Sequence, residues 1–168
     1  MGLIMDYQKH GEIFIPKSEI IVPKGKVLLT MQNMITGKIT EGLFDNMVVT
    51  RGKNAIAAGL SGVTANNKGI ITYCALGTSA VAPALADTNL VAEIARKQVS
   101  VPSVAANVAT FTTFFTTSEA VGTLREAGLF GDDASTIPGS GTLFCRVAIN
   151  RVKSSNDTLT LQWSVTIG

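Results

Sequence analysis

The clearest pattern of hydrophobic and polar positions lies at the end of the chain, in residues 158–167. Apolar and polar residues alternate there without a break over ten positions, which is the period of a strand with one buried face. We therefore expect a strand with an apolar face directed at a core, formed by Leu159, Leu161, Trp163, Val165 and Ile167.

Further short strands are predicted from apolar or alternating runs bounded by glycine, proline and asparagine-rich turns. These runs are Ile70–Leu76, Gln98–Val101, Asn107–Phe115, Val121–Phe130 and Leu143–Asn150. The segment Ser154–Asp157 is predicted to be a hairpin turn. Seven or eight short strands with regular turns predict a mainly β fold, an antiparallel β-sandwich of the jelly-roll or immunoglobulin-like type.

One or two short helices are expected to cover this sandwich. Arg51–Leu60 is rich in alanine, places Ile56 and Leu60 one turn apart, and is followed by a stop signal at Gly62. A second helix is predicted over Asn89–Ala95, where Leu90 and Ile94 have helical spacing and Asp87 or Thr88 would cap the first turn.

Residues 1–45 differ from the rest of the chain and are predicted to form an extended N-terminal arm or edge strands, whereas residues 46–168 form the sandwich domain. Two apolar runs in this region end at Pro16 and Pro23, and proline is tolerated at sheet edges because it lacks a ladder donor. An arm of this kind could exchange between subunits. Its predicted contact residues are Phe14, Ile15, Ile20, Ile21 and Val22.

Composition points to assembly. Charged residues make up 15% of the chain, against about a quarter in typical soluble domains, so part of the apolar surface is expected to meet other subunits. The net charge of +2 includes no basic cluster, which argues against nucleic-acid binding. The sequence contains no apolar run of membrane-spanning length and no signal-peptide pattern, so we expect synthesis in the cytoplasm and no membrane partner.

The candidate chemistry lies in two glutamates set in apolar surroundings, Glu93 and Glu126. They could act as a general acid and base, but arginines lie close to each, and carboxylate–arginine pairs commonly hold a loop or an interface. We prefer the structural interpretation, in which Glu93, Arg96, Arg125, Glu126 and Arg146 fix the domain or a symmetric interface. No catalytic residue, metal or cofactor is predicted, since His10 is the only histidine.

Three other features have structural explanations that we prefer. Cys74 and Cys145 lie in strand-like runs and are expected to be buried thiols, with a disulfide left open. The loop 131–141 contains Asp132 and Asp133 but lacks the ligand spacing of an EF-hand calcium loop. Threonine-rich strands could bind carbohydrate, although threonine is also simply a good exposed strand former.

Five blocks of sequence, in order, resemble a group of small structural proteins of tailed bacteriophages. The blocks are NMVVTRGKNAIAAGL, ITYCALGTSAVAPALADTNLVAEIAR, LREAGLFG, GTLFCRVAI and DTLTLQWSVTI, and they extend from Asn46 to the end of the chain. The resemblance implies a virion component of the head-decoration, head–tail or tail-fibre class, with no enzymatic activity. Residues 1–45 fall outside it.

The sequence therefore predicts a phage structural protein, made in the host cytoplasm and located in the virion. It would assemble as a homo-oligomer, for example a trimer, and contact other virion proteins as a capsid decoration or cement protein or a head–tail component. One alternative is a tail-fibre or receptor-facing protein that uses the loops 77–86 and 131–141 to bind the host surface, glycans included. A more distant alternative is a carbohydrate-binding module.

Overall fold

The fold is a mainly β, antiparallel structure, as predicted. A computed structural model describes residues 22–62, 69–100 and 102–168, and in this part of the chain nine strands form one sheet that curls into a half-barrel. The elements in chain order are β1 (Lys24–Asn33), β2 (Ile39–Val48), α1 (Thr50–Ser61), β3 (Ile71–Gly77), β4 (Glu93–Gln98), β5 (Ser103–Ala105), β6 (Val108–Phe115), β7 (Gly122–Gly131), β8 (Thr142–Lys153) and β9 (Asp157–Thr166).

The sheet has two halves joined through β2. The strand order is β4-β3-β7-β8-β2-β1-β9-β6-β5. Strand β2 pairs with β1 from Ile39 to Asn46 and then with β8 only at Met47 and Val48. This short second pairing is where the sheet turns from one half to the other. A single curled sheet thus takes the place of the separate layers expected from the sequence.

The main core lies on the inner face of the curl, where rows of apolar side chains continue from strand to strand. In one half, Trp163 has Val27 and Phe111 as its neighbours on β1 and β6. In the other half, Leu129 lies between Cys74 and Cys145. These residues are all buried and belong to one cluster. The predicted inward face of β9 is confirmed except at Ile167, which lies beyond the strand and is 36% exposed.

The predicted helix at Arg51–Leu60 is confirmed as α1. It ends at Gly62, whose φ of +68° is left-handed and therefore favours glycine, as the sequence indicated. The helix packs against β8, and Gly52 allows this approach because a Cβ there would overlap the carbonyl group of Phe144.

Three sequence predictions are wrong in detail. Residues 89–95 do not form a helix, because Glu93 begins the edge strand β4, which extends to Gln98. Ser154–Asp157 is a turn, but not a hairpin turn, since β8 and β9 belong to different halves of the sheet. The described part of the predicted arm, residues 22–45, supplies two interior strands and no edge strand, so the boundary at residue 45 falls within β2. Residues 1–21 of that arm lie outside the described residues.

Candidate functional site

The most distinctive polar feature is a fully buried ion pair between Glu126 on β7 and Arg146 on β8. Arg146 opposes Gly128 in the ladder, so it lies diagonally across from Glu126 on the same face. The Glu126 Oε2 atom is 2.8 Å from Nη2 and 3.0 Å from Nε of Arg146. Neither side chain is exposed to solvent. The pair lies on the outer face of the sheet, beneath the loop that joins β3 to β4 (the 78–92 loop).

Arg146 holds this loop from below. Its Nη2 donates to the carbonyl oxygen of Val81 at 2.9 Å, and its Nη1 donates to Asp87 Oδ2 at 2.7 Å. Burial raises the pKa of the Asp87 carboxyl, but the hydrogen bond from the Ala84 N–H and the adjacent guanidinium outweigh burial and keep that pKa below its usual value. Asp87 therefore stays ionised and links two points of the loop to the sheet.

Glu126 holds the end of the same loop. Its Oε1 accepts from the Ala92 N–H at 2.7 Å, and its Oε2 accepts from the Val91 N–H at 3.1 Å. This packing requires glycine at position 77, because a Cβ there would lie 2.5 Å from Glu126 Oε1 and 2.6 Å from the Ala92 oxygen. Both carboxylate oxygens are thus engaged inside the protein, which leaves Glu126 no access to a substrate.

A second buried pair, Glu93 and Arg96 on β4, holds the loop that joins β7 to β8 (the 132–141 loop). The two side chains form a bidentate contact, with N–O distances of 2.7 and 2.8 Å. Residues three apart on a regular strand face opposite ways, but a register shift opposite Leu76–Gly77 inserts an extra residue and brings this pair to one side.

Arg96 also contacts the loop directly. Its Nη1 donates to the carbonyl oxygen of Ser140 at 2.7 Å, and its guanidinium lies 4.2 Å from the centre of the Phe130 ring. Glu93 accepts from the Gly139 N–H at 3.2 Å. The prediction that Glu93, Arg96, Glu126 and Arg146 fix parts of the domain is consistent with these contacts, which anchor two loops.

The two loops touch each other and form what we term the loop surface, residues 78–92 and 132–141. Asn89 Nδ2 donates to the carbonyl oxygen of Gly139 at 3.1 Å. Beneath them, Leu90 packs in a small buried cluster with Phe130 and Leu143, apart from the main core. Several large apolar side chains of these loops nevertheless remain exposed, namely Val81, Leu85, Val91 and Ile137.

Two of the predicted contact positions can be placed in the structure outside this surface. Arg125 is exposed and forms no salt bridge with a described residue. Val22 is exposed, and its N–H donates to the carbonyl oxygen of Gly168 at 3.1 Å. Phe14, Ile15, Ile20 and Ile21 lie outside the described residues.

A third anchored loop, between β6 and β7, was missed by sequence reasoning. The buried Lys153 Nζ donates to the carbonyl oxygens of Thr116 and Thr117 at 2.8 and 3.1 Å. Glu119 forms a salt bridge with Lys97 at 2.8 Å and accepts from the Thr116 N–H at 2.7 Å. These contacts lower the pKa of Glu119 to about 2, chiefly through Lys97. Because the partners come from three separate elements, the sequence carried no signal for this cluster.

The two cysteines are buried free thiols, as preferred from the sequence. Leu129 separates Cys74 from Cys145 in the ladder, so their Cα atoms lie two strand spacings, or about 9–10 Å, apart. This exceeds the ~7 Å limit for a disulfide. Burial raises the pKa of Cys74 to about 12 and that of Cys145 further, so neither is a reactive thiolate at neutral pH.

The described residues contain no cluster of typical metal ligands. Among residues 22–62, 69–100 and 102–168, no three histidine, cysteine or acidic side chains lie close enough together to hold a metal ion. In the loop 131–141, Asp132 Oδ1 accepts a hydrogen bond from the Gly69 N–H at 3.0 Å. No helix in the described part of the chain is long and apolar enough to span a membrane.

Comparisons with protein-family models, curated proteins and solved structures gave no match.

Proposed function

We propose that this protein is a structural component of a tailed-bacteriophage virion, acting as a capsid decoration or cement protein or as a head–tail component. The observation that carries the proposal is the loop surface, where buried ion pairs hold loops that expose large apolar side chains. Loops fixed in this way lose little conformational entropy when they meet a partner, which favours a protein–protein contact. The five-block resemblance to phage structural proteins and the low charge content also support it.

In this proposal the protein assembles as a homo-oligomer and has no enzymatic activity. The two halves of the curled sheet take the role of the two layers of a sandwich, and the outer faces meet neighbouring subunits. The buried and fully engaged Glu126 supports a structural role for the pair that could otherwise have served as acid and base.

A receptor-facing role is a second candidate, because the loop surface includes both loops that the sequence suggested for host contact. A carbohydrate-binding module has weaker support. Glycan sites usually present an aromatic platform, whereas Trp163 is fully buried and Tyr73 is half-buried. Threonines on the outer faces of β6 and β9 remain partly exposed but carry no ligand-directed arrangement beyond the strand period.

The proposal is tested by incorporation of loop-surface variants into virions. Val81→Asp and Ile137→Asp place charges on exposed side chains and should leave the fold intact while strongly reducing the amount of protein in purified particles. Leu60→Asp is the matched control, because Leu60 is 86% exposed and lies on α1, outside the loop surface. Equal incorporation of all three variants would contradict the proposal, and glycan-array binding lost in the loop variants would favour the receptor-facing role.

A further inference from the structure

An open groove lies where β2 turns from one half of the sheet to the other. It has a volume of about 610 Å³, within the range of ~300–1,000 Å³ usual for ligand pockets. Its walls come from the start of β1, the end of β2, α1, the 78–92 loop and the end of β9, and the surface they present is mainly apolar. Exposed apolar side chains on its walls include Val22 and Leu85.

The rim of this groove is positively charged. Lys24, Lys26 and Lys53 line it together with one acidic residue, Asp45. Lys26 and Asp45 neutralise each other at 3.0 Å, whereas Lys24 and Lys53 are exposed and form no salt bridge with a described residue. An apolar groove with two unpaired lysines at its rim fits an apolar segment flanked by carboxylates.

The chain itself contains such a segment. Ile13, Phe14 and Ile15 form an apolar run with Glu12 directly before it and Glu19 four residues after it. Residues 12–19 lie three to ten positions before Val22, so an extended chain places them up to about 10–35 Å from it, within reach of a molecule packed beside the groove.

We propose that the groove binds residues 12–19 of a second copy of this chain, with the apolar run in the groove and the two glutamates at Lys24 and Lys53. Pro16 favours extended backbone at Ile15, the form in which this apolar run can lie along a groove. Only six residues separate Ile15 from Val22, which lines the groove, so the segment could enter its own groove only through a tight reversal, and a neighbouring molecule is favoured. The inference rests on the homo-oligomer of the proposed function and identifies the surface that joins its subunits.

The first test compares self-association of groove and control variants by sedimentation or light scattering. Leu85→Glu and Phe14→Asp should each weaken association by at least about tenfold, since each places a charge in the apolar contact. The control Leu60→Glu alters another exposed leucine, 86% exposed against 50% for Leu85, that lies outside the groove, and it should associate like the wild type. Circular dichroism and thermal unfolding serve as the control that each variant is folded.

Charge reversal tests whether the two lysines at the rim of the groove contribute to association. Lys24→Glu with Lys53→Glu should weaken association, and adding Glu12→Lys with Glu19→Lys on the other chain should restore it. Failure of this rescue, together with unchanged association of Leu85→Glu, would overturn the inference.

Cross-linking decides between a neighbouring and a cis segment. A chain with Ile15→Cys is mixed with a separate chain carrying Leu85→Cys, in a background of Cys74→Ala and Cys145→Ala. We expect a disulfide between the two chains and none when Leu60→Cys replaces Leu85→Cys. A third sample is a single chain that carries both Ile15→Cys and Leu85→Cys. A disulfide that forms within this chain and never between separate chains would assign the groove to the segment of the same chain and refute exchange. A wild-type protein that remains monomeric at all concentrations would contradict the oligomer itself, whereas an oligomer indifferent to these variants would contradict the groove alone.

Discussion

The Nη2 atom of Arg146 lies 2.8 Å from Oε2 of Glu126, and both side chains are fully buried beneath the 78–92 loop. Ionised groups in such a position lose their hydration, and only close pairing and additional hydrogen bonds compensate for that loss. Here the additional partners are backbone groups of the loop and the Asp87 carboxylate. The pair therefore fixes the shape of a surface loop, which is the basis of the proposed contact function.

Removal of one partner from this pair should be strongly destabilising. Arg146→Met leaves the Glu126 carboxylate buried without its countercharge, and we expect the free energy of unfolding to fall by about 3–5 kcal/mol. Adding Glu126→Gln should recover part of the loss, which a double-mutant cycle in urea measures. Lys26→Met breaks the exposed pair with Asp45 and should cost only ~0–1 kcal/mol. Equal losses in the two single variants would contradict the assigned role of burial.

The buried pair formed by Glu93 and Arg96 should stabilise the 132–141 loop and have little effect on the 78–92 loop. Arg96→Met removes the contacts to Glu93 and Ser140, so we expect faster amide hydrogen exchange in that loop with little change in the 78–92 loop. Arg125→Met is the control, because Arg125 is exposed and contacts neither loop through a salt bridge. Unchanged exchange in residues 132–141 of the Arg96 variant would show that this pair does not hold the loop.

The sequence predicted the strands whose two faces differ in environment. The alternation in β9 is visible because one face meets the core and the other meets solvent. Strand β4 was mistaken for a helix because Leu90 and Ile94 have helical spacing, whereas edge pairing with β3 decides its conformation. The prediction of edge strands in residues 1–45 was based on proline. Pro23, however, lies just before β1 and removes no hydrogen bond from its ladder.

The ion pairs were predicted only in part, for a geometric reason. Arg125 is adjacent to Glu126 in sequence but is exposed, whereas Glu126 is fully buried, and its true partner, Arg146, depends on the register of β7 against β8. The contact between Arg146 and Asp87 joins residues 59 apart along the chain. Neither register nor such long-range contacts can be read from local periodicity.

Trp163 tests the assignment of the inner face. Trp163→Ala removes the largest fully buried side chain, and we expect a loss of about 3–5 kcal/mol in the free energy of unfolding. Ile167→Ala, two residues further along the same pattern, should cost far less because Ile167 is partly exposed and lies outside the strand. A denaturation midpoint for Trp163→Ala close to the wild-type value would be incompatible with the described core.

Glu119 predicts a specific acid dependence of stability. Its pKa is lowered from 4.5 to about 2, so its contribution is fully present above pH 4.5 and is lost as the pH falls toward 2. Glu119→Gln should therefore destabilise the protein at pH 7, and its unfolding free energy should converge with that of the wild type near pH 2. Lys97→Met should reduce the same pH dependence. A constant difference between Glu119→Gln and wild type from pH 7 to pH 2 would contradict this assignment.

A density map of purified virions is the decisive test of a structural role in the virion through the loop surface. We expect the chain at symmetrically repeated positions, with residues 78–92 and 132–141 in contact with neighbouring protein. Virions in which this chain has no density, or in which both loops face open solvent at every copy, would contradict the claim.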